Sequence, residues 1–240
     1  GLGFWSGVIG ACFSTDQQCR EVRRINVSAA FFLSIEFRDT GYLVERMYKA
    51  SFGDTVENST GLIVPIIRRS EFLADTPLIS NGVIVGQGTW QLQLEQNKTA
   101  FAQTFVQRAR FTNGYPQTMT AAQFVDALFA NSRVTPTVAE RNAALAAFGS
   151  GDVAGRAAAL RSVAESASFD NGEKNRAFVL MQYYGYLRRN PNDTPEANLN
   201  FAGWNFWLGK LNEFGGNFVD AQMVKAFLDS TEYRQRFGTP

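Results

Sequence analysis

The stretch GWNFW at residues 203–207, followed by STEYR at residues 230–234, decides the fold of this chain. Both phrases restate the beginning of the sequence, where GLGFW occupies residues 1–5 and SIEFR occupies residues 34–38. In each copy a small residue precedes an aromatic pair, an amphipathic segment follows, and a Ser-x-Glu-aromatic-Arg phrase ends the unit. Such recurrence is typical of one supersecondary unit used more than once, with neighbouring units burying each other's apolar faces. The repeat predicts a scaffold or binding architecture rather than an active site.

Apolar residues recur at intervals of three and four along most of the chain, which indicates amphipathic helices. We expect helices over residues 16–37, 42–52, 90–111, from 120 onward, 137–148, 152–169, 175–187, 203–214 and 217–237. Thr120 is the expected N-cap of its helix. Residues 54–96 are the least helical, with one short helix expected over 65–72. The β-branched runs at 62–65 and 83–85 either pair as a small hairpin or lie as extended loops. The fold class is therefore mainly α, with a small loop- or β-containing insertion.

The recurring phrases divide the chain into four tandem helical units. Residues 1–41 are the C-terminal half of a first unit, and residues 42–116 are a second unit with an insertion at about 54–100. Residues 117–171 form a compact third unit, and residues 172–240 form the fourth and most complete one.

The fourth unit contains four phrases in order, FVLMQY at 178–183, LRRNPND at 187–193, GWNFW at 203–207 and STEY at 230–233. Through these phrases the unit resembles the domain-of-unknown-function 4214 family. The resemblance extends to most of the chain outside the insertion, although Leu187 stands where the family has a glycine before its arginine. It implies a helical fold similar to that of phycobilisome linker domains. It also implies a place in bacterial surface or secreted proteins, and no catalytic residues to carry over.

Composition excludes several classes of protein. Hydrophobic residues make up 45% of the 240 and charged residues 19%, which is typical of a globular rather than a disordered chain. The net charge is +1, and basic residues alternate with acidic ones, so nothing resembles the basic stripe that nucleic acid requires. No apolar run reaches the length of roughly 18–20 residues that a membrane helix needs. Because the chain starts inside the aromatic motif without a Met, we expect it to be part of a longer protein.

The two cysteines, Cys12 and Cys19, flank a short polar loop. The favoured interpretation is a disulfide, which would place the protein in an oxidising compartment, outside the cell or on its surface. The alternatives are two reduced core cysteines or half of a metal site. Since the chain has no histidine and no other cysteine, a zinc site would need carboxylates.

The aromatic pairs Phe4-Trp5 and Phe206-Trp207 are expected to be structural, as core wedges that lock the helices of each unit. The alternative is that they present stacking surfaces to a carbohydrate or a pigment. The repeated phrase by itself does not distinguish the two.

Residues 190–200 are the most oxygen-rich segment, and Asp193, Glu196, Asn198 and Asn200 are candidate ligands for calcium. The EF-hand pattern fails, because Phe201 occupies the place of the turn glycine. The favoured interpretation is a loop of Asx-turns that caps the following helix, with no cofactor.

The absence of histidine removes the commonest general base at neutral pH. We therefore predict a non-catalytic structural or protein-interaction module, whose partner is another protein or a neighbouring repeat bound through helix faces and the insertion. One alternative is a carbohydrate-binding module that uses exposed aromatics. A less favoured one is a polysaccharide hydrolase with two carboxylates converging in a cleft.

Overall fold

A computed structural model of the chain describes residues 2–13 and 15–237, without the side chains of Leu2, Phe4, Phe31, Leu33, Glu36 and Phe237. The chain forms two compact units. Gly1–Arg38 and Phe178–Pro240 make one of them, the terminal unit, and Asp39–Ala177 makes the other, the central unit. The prediction of a mainly α-helical fold with a small β-containing segment is confirmed.

The described helices are, in chain order, α1 (Leu2–Gly10), α2 (Gln17–Leu33), α3 (Ile35–Arg38), α4 (Gly41–Phe52), α5 (Arg69–Ser80), α6 (Trp90–Phe105), α7 (Ala109–Gly114), α8 (Ala121–Ser132), α9 (Val138–Phe148), α10 (Val153–Ala164), α11 (Ala167–Gln182), α12 (Ala202–Glu213), α13 (Met223–Asp229) and α14 (Thr231–Phe237). A π-helical turn, Tyr183–Leu187, directly follows α11. Two strands, β1 (Asp54–Val56) and β2 (Ile63–Pro65), pair antiparallel.

Helix α4 is the core element of the central unit and contacts α5, α7, α8 and α10. Every residue from Gly41 to Ser51 is buried, so neighbouring elements cover the charged side of this helix as well as its apolar side. The ring of Tyr48 meets that of Phe105 edge-on, with centroids 5.1 Å apart. Burying a phenylalanine side chain completely, as at Phe105 and Phe111, stabilises a fold by about 1.5–3 kcal/mol.

Helices α8 and α9 begin with capping boxes, in which the N-cap threonine and the third helical residue bond each other's backbone. Thr120 accepts a hydrogen bond from the backbone of Gln123, and Thr137 accepts one from the backbone of Glu140, each at 3.2 Å. The side chains of Gln123 and Glu140 accept in return from the backbone N–H groups of the two threonines. Thr120 is therefore the N-cap that the sequence predicts.

A close approach at Gly155 allows α10 to pack against α9. A Cβ atom at this position would lie 2.1 Å from the backbone oxygen of Phe148. No side chain fits that space, and the turn between the two helices needs glycine again at Gly151, where φ is +75°. The Gly-Ser-Gly break that the sequence shows at 149–151 thus closes a tight helical pair.

The segment at 54–100 is more helical than predicted. Helix α5 runs from Arg69 to Ser80, well beyond the short helix expected over 65–72, and Pro77 lies within it. The hairpin also pairs differently, because β2 pairs with Asp54–Val56 and not with residues 83–85. The strand β1 follows α4 directly and reaches β2 through a short turn, so the two pair with each other. Residues 83–85 instead lie in the loop between α5 and α6.

The division into units differs from the four consecutive repeats that the sequence predicts. Helix α4 packs against α8 and α10, so helices of the predicted second and third repeats share one core. The first predicted repeat and most of the fourth belong together in the terminal unit. There α13 contacts α2, α12 and the π-helical turn, and the ring of Phe32 meets those of Phe178 and Tyr186 edge-on.

Candidate functional site: ionic clusters and an exposed apolar helix face

Cys12 and Cys19 form a disulfide bond, with their Cα atoms 5.9 Å apart. The bond ties the segment after α1 to the first turn of α2, whose N-cap, Asp16, accepts from the backbone of Cys19 at 2.9 Å. Arg23 adds a second link between α1 and α2, because its Nη1 donates to the backbone oxygen of Val8 at 2.8 Å. Closing a loop of this kind stabilises a fold mainly by restricting the unfolded chain.

The four predicted structural aromatics have different surroundings. Trp207 is half-buried, and its ring centroid lies 5.8 Å from that of Phe227. Trp5 is also half-buried, whereas the side chain of Phe4 lies outside the described residues. Phe206 is 55% exposed and is not a core wedge, which corrects the prediction.

The orientation of α12 explains the exposure of Phe206. This helix buries Trp204, Leu208 and Leu211, which recur at intervals of four and three and so share one face. Phe206 lies about 200° around the helix from Trp204 and therefore points outward. Trp204, only 1% exposed, is the core aromatic of this motif. Sequence reasoning missed Trp204, and the helical spacing of 204, 208 and 211 is the signal that could have identified it.

The oxygen-rich loop at 190–200 folds around a cation supplied by the chain itself. Arg189 is 9% exposed, and its Nη1 donates to the backbone oxygens of Asn190, Pro191 and Asp193 at 3.1, 2.9 and 3.2 Å. Its Nε donates to the carboxylate of Glu232 at 2.9 Å. The guanidinium thus supplies the positive charge that a loop rich in oxygens requires.

The four candidate calcium ligands do not converge. Asp193 accepts from the backbone of Asn190 at 3.0 Å, and Asn200 accepts from the backbone of Ala202 at 3.1 Å. Glu196 faces Arg189, with 3.7 Å between Oε2 and Nη2, and Asn198 is exposed. Among the described residues, no group of three or more Asp, Glu, His or Cys side chains has a metal-binding arrangement. The loop therefore folds around an arginine, and Asn200 forms an Asx-turn that leads into α12.

The central unit contains a buried ionic cluster, the Glu45 cluster, made of Glu45, Lys49, Asp54, Glu173 and Arg176. Lys49 Nζ donates to Glu173 and lies 3.5 Å from Asp54 Oδ2. Arg176 Nη2 lies 3.1 Å from the same Asp54 oxygen, and its Nε lies 3.3 Å from Glu173 Oε1. Because Glu45 and Lys49 belong to α4, Glu173 and Arg176 to α11, and Asp54 to β1, the cluster joins three elements of this unit.

Burial controls the protonation of this cluster. Glu45 and Glu173 are each 1% exposed. Loss of hydration raises the pKa of Glu45 well above its ordinary value, and the nearby negative charge of Glu173 raises it further. The pKa of Glu173 is also raised by burial, against the opposing effect of Lys49. Glu45 Oε2 has no hydrogen-bond partner among the described residues. Glu45 therefore favours its neutral, protonated form.

The Glu45 and Glu173 carboxyl groups lack the surroundings of the acid pair of a glycosidase. A glycosidase needs two carboxyl groups facing a substrate and a water molecule. Here both glutamates are enclosed, and Lys49 and Arg176 occupy the space beside Glu173. Lys49 was missed in the sequence, because a Glu and a Lys four residues apart are typical of a solvated helix face. That the chain has no catalytic residue stays a prediction.

The opposite side of α5 is open to solvent, and it is apolar in its middle part, between the exposed Ser70 and Ser80. Phe72, Asp75 and Ile79 form its buried side, and Leu73, Ala74, Pro77 and Leu78 are all exposed. We call these four residues the α5 face. Leu73 is 46% and Leu78 is 51% exposed. Contiguous apolar surface of this kind marks interaction sites in soluble proteins.

In comparisons with known proteins, no family model, no curated protein and no solved structure matches this chain. The resemblance to the domain-of-unknown-function 4214 family therefore stays a prediction that rests on the quoted phrases. Among the described helices, none combines the length and the apolar character needed to span a membrane.

Proposed function

We propose that this chain is a non-catalytic protein-interaction module of a larger exported or cell-surface bacterial protein, and that the α5 face is its contact surface. The observation that carries the proposal is the exposure of Leu73, Ala74, Pro77 and Leu78 on one side of a helix whose other side is packed in the core. An outward helix face is ordinarily polar. Because these four neighbouring outward residues all lack a polar side chain, we expect a partner to cover this surface.

The rest of the central unit supports a role as a rigid support for that face. Helix α5 contacts both α4 and α6. Asp75, on its buried side, accepts from Tyr48 Oη at 2.9 Å and from Arg108 Nη1 at 2.6 Å. These bonds hold the helix in one orientation, which is what shape recognition needs, since a preorganised surface loses little entropy on binding.

The Cys12–Cys19 disulfide supports the proposed location. Disulfides form and persist in oxidising compartments, whereas cytosolic thiols are kept reduced. Thiol alkylation tests this directly. When the natural protein is alkylated without reductant, mass spectrometry should find both cysteines unmodified.

The test of the contact surface is site-specific photocrosslinking in the natural host. A photoreactive amino acid replaces Leu78, and the same label replaces Leu199 as a control, because Leu199 is similarly exposed at 58% but lies in a polar loop. We expect the label at 78 to capture a defined protein that the label at 199 does not capture. Excess unlabelled chain should suppress the capture, and chain carrying Leu73→Ser and Leu78→Ser should not.

Two outcomes would overturn the proposal. Equal capture by both labels would show that the α5 face has no special role. Retention of the unlabelled chain on a polysaccharide, abolished by Phe206→Ala, would favour the carbohydrate-binding alternative, because the exposed Phe206 meets the half-buried Trp207 edge-on, with ring centroids 5.1 Å apart.

A further inference from the structure

Three Asn-Gly pairs occur in the chain, at residues 81–82, 113–114 and 171–172. In a reactive pair the backbone nitrogen of the glycine attacks the side-chain carbonyl carbon, Cγ, of the asparagine. Glycine hinders this attack least, because it has no Cβ atom beside its nitrogen. The reaction needs a backbone nitrogen that no hydrogen bond holds, and room for the asparagine side chain to turn back. The fold therefore decides which of the three pairs reacts.

Two of the pairs lie inside helices. Gly114 is the last residue of α7, and Gly172 belongs to the second turn of α11. At these positions the N–H of an α-helical residue donates to the carbonyl oxygen four residues earlier. Gly172 is also closely packed, because a Cβ atom there would lie 2.9 Å from Cγ1 of Val134. In both pairs the helix must open before the nitrogen reaches Cγ.

The pair Asn81-Gly82 lies outside a helix, because α5 ends at Ser80. Asn81 has ψ 120° and Gly82 has φ +70°, neither of which is helical. Within the described part of the chain, the N–H of Gly82 donates to no other backbone group. Both residues are exposed, and a Cβ atom added to Gly82 would meet nothing within 4 Å. Water therefore reaches this pair, and the asparagine side chain has room to close on the nitrogen.

Asn97 of α6 fixes the orientation of the peptide group between Asn81 and Gly82. Its Nδ2 donates to the backbone oxygen of Asn81 at 2.8 Å and to that of Ile79 at 2.9 Å. In a trans peptide the N–H points away from the C=O of the same group. The nitrogen of Gly82 therefore faces away from Asn97, and the bond that anchors this loop does not cover the reacting atom.

We infer that Asn81 is a site of spontaneous modification, at which water converts the asparagine to aspartate or isoaspartate. The nitrogen of Gly82 forms a bond to Cγ of Asn81. The side-chain nitrogen leaves as ammonia, which carries away the proton of the Gly82 N–H. Water then opens the cyclic imide. Opening at Cγ gives aspartate, and opening at the backbone carbonyl carbon gives isoaspartate. Both products carry oxygen in place of an NH group, with no change in oxidation state.

The modification would place a charge beside the α5 face. Asp75 is the one charged residue between positions 72 and 94, and it is buried. A carboxylate at residue 81 would be the first exposed charge of this stretch, about one helical turn from Leu78. Isoaspartate would also move the backbone oxygen that Asn97 holds, because the main chain then runs through Cβ.

Covering a carboxylate removes it from water at a cost in free energy, so we expect the modified chain to bind its partner less well. This regulatory consequence rests on the proposed function of the α5 face. The modification itself does not, because it follows from the local geometry of Asn81 and Gly82 alone.

The experiment is a time course of the folded full chain in mildly alkaline buffer, with the disulfide intact. Samples are digested under acidic conditions, and mass spectrometry follows the NH-to-O mass increase in the peptides that contain each asparagine. We expect Asn81 to convert about tenfold faster or more than Asn113 and Asn171, because these two react only after local unfolding. In concentrated urea the three rates should approach one another, since the helices are then lost.

Two variants separate the chemistry from its consequence. Asn81→Gln keeps an amide but enlarges the ring that must close, so conversion at residue 81 should fall below detection. Asn113 in the same chain is the internal control, and its rate should not change. Asn81→Asp carries the aspartate product from the start. Combined with the photoreactive label at residue 78, Asn81→Asp should lose most of the capture that Asn81→Gln retains.

Equal rates at the three asparagines of the folded chain, or no conversion at Asn81, would overturn the inference. Equal capture by Asn81→Asp and Asn81→Gln would overturn the regulatory consequence and leave both the modification and the α5 face standing. Failure of the label at residue 78 to capture any protein would overturn the proposed function, whereas the mass measurement would still report the modification. The two failures are therefore distinguishable.

Discussion

The Glu45 cluster of the central unit and the Arg189 loop of the terminal unit both bury charge, but they balance it in different ways. The Glu45 cluster sets three carboxyl groups against Lys49, Arg176 and the exposed Arg133, which lies 3.6 Å from Asp54, and burial favours a proton on Glu45. The Arg189 loop sets one guanidinium against three backbone oxygens and the carboxylate of Glu232. The first arrangement depends on a titrating group, whereas the second relies mainly on peptide dipoles that do not titrate. Three substitutions sharpen this comparison.

Replacing Lys49 by methionine should have the largest effect. The change leaves Glu173 and Asp54 buried without their central cation, and breaking a buried ion pair from one side destabilises a protein by about 3–5 kcal/mol. Chemical denaturation followed by circular dichroism measures the loss. Lys174→Met is the matched control, because this exposed lysine lies next to Glu173 in sequence, and we expect a change below about 0.5 kcal/mol. Equal effects of the two variants would contradict the structural role of the cluster.

Replacing Arg189 by methionine should have an intermediate effect. The loop would lose charge-assisted hydrogen bonds worth about 1.5–3 kcal/mol, but the side chain of Glu232 is 16% exposed and can regain water. Hydrogen exchange of the amides in residues 190–202 should accelerate.

Arg236→Met is the control for this loop, because Arg236 reaches the same Glu232 carboxylate, at 3.6 Å, from a more exposed position. We expect a change within about 1 kcal/mol and no acceleration in the loop. A calcium-dependent slowing of exchange in the arginine-containing chain would contradict the conclusion that Arg189 is the cation of the loop.

Replacing Glu45 by glutamine should mainly change how stability depends on pH. The unfolded chain releases the Glu45 proton near pH 4.5, and the folded chain releases it at higher pH because burial raises its pKa. The contribution of Glu45 is therefore fully present below pH 4.5 and is lost as pH rises through the folded pKa. The slope is at most about 1.4 kcal/mol per pH unit for one proton.

We expect Glu45→Gln to flatten the decrease of stability above pH 4.5, measured as the free energy of unfolding in urea at several pH values. Glu140 supplies a control of opposite sign. Hydrogen bonds from Ser168 and Thr137 lower its pKa to about 2, so its contribution is present above pH 4.5 and is lost as pH falls toward 2. Glu140→Gln should therefore reduce the loss of stability that occurs as pH falls from 4.5 toward 2. If this variant instead reduced the loss of stability above pH 4.5, the lowered pKa of Glu140 would be contradicted.

The order of the helices was largely predictable from sequence, because apolar periodicity and punctuation by glycine are local signals. The N-cap at Thr120, the helix over residues 42–52 and the break at 149–151 all depend on residues within one or two turns of each other. The extent of α5 was not predictable in this way. Pro77 and the apolar outward residues of α5 are unusual for a helix, and the helix is supported by its packing against α4 and α6. The pairing of β1 with β2 was also missed, because the choice of a pairing partner depends on how the segments are placed in the fold.

The sequence by itself determined the fold class, most helix starts and the two cysteines that form the disulfide, because each follows from neighbouring residues or from a count. The helices expected to begin at residues 175 and 217 instead begin at Ala167 and Met223. Tertiary structure decided which charges are buried. Glu45, Lys49 and Glu173 look like solvated helix residues until α4 and α11 are placed together, and Arg189 looks like half of a basic pair until the loop folds over it. Burial depends on contacts between residues far apart in the chain, and desolvation, unlike helix propensity, is a property of that arrangement and of no single segment.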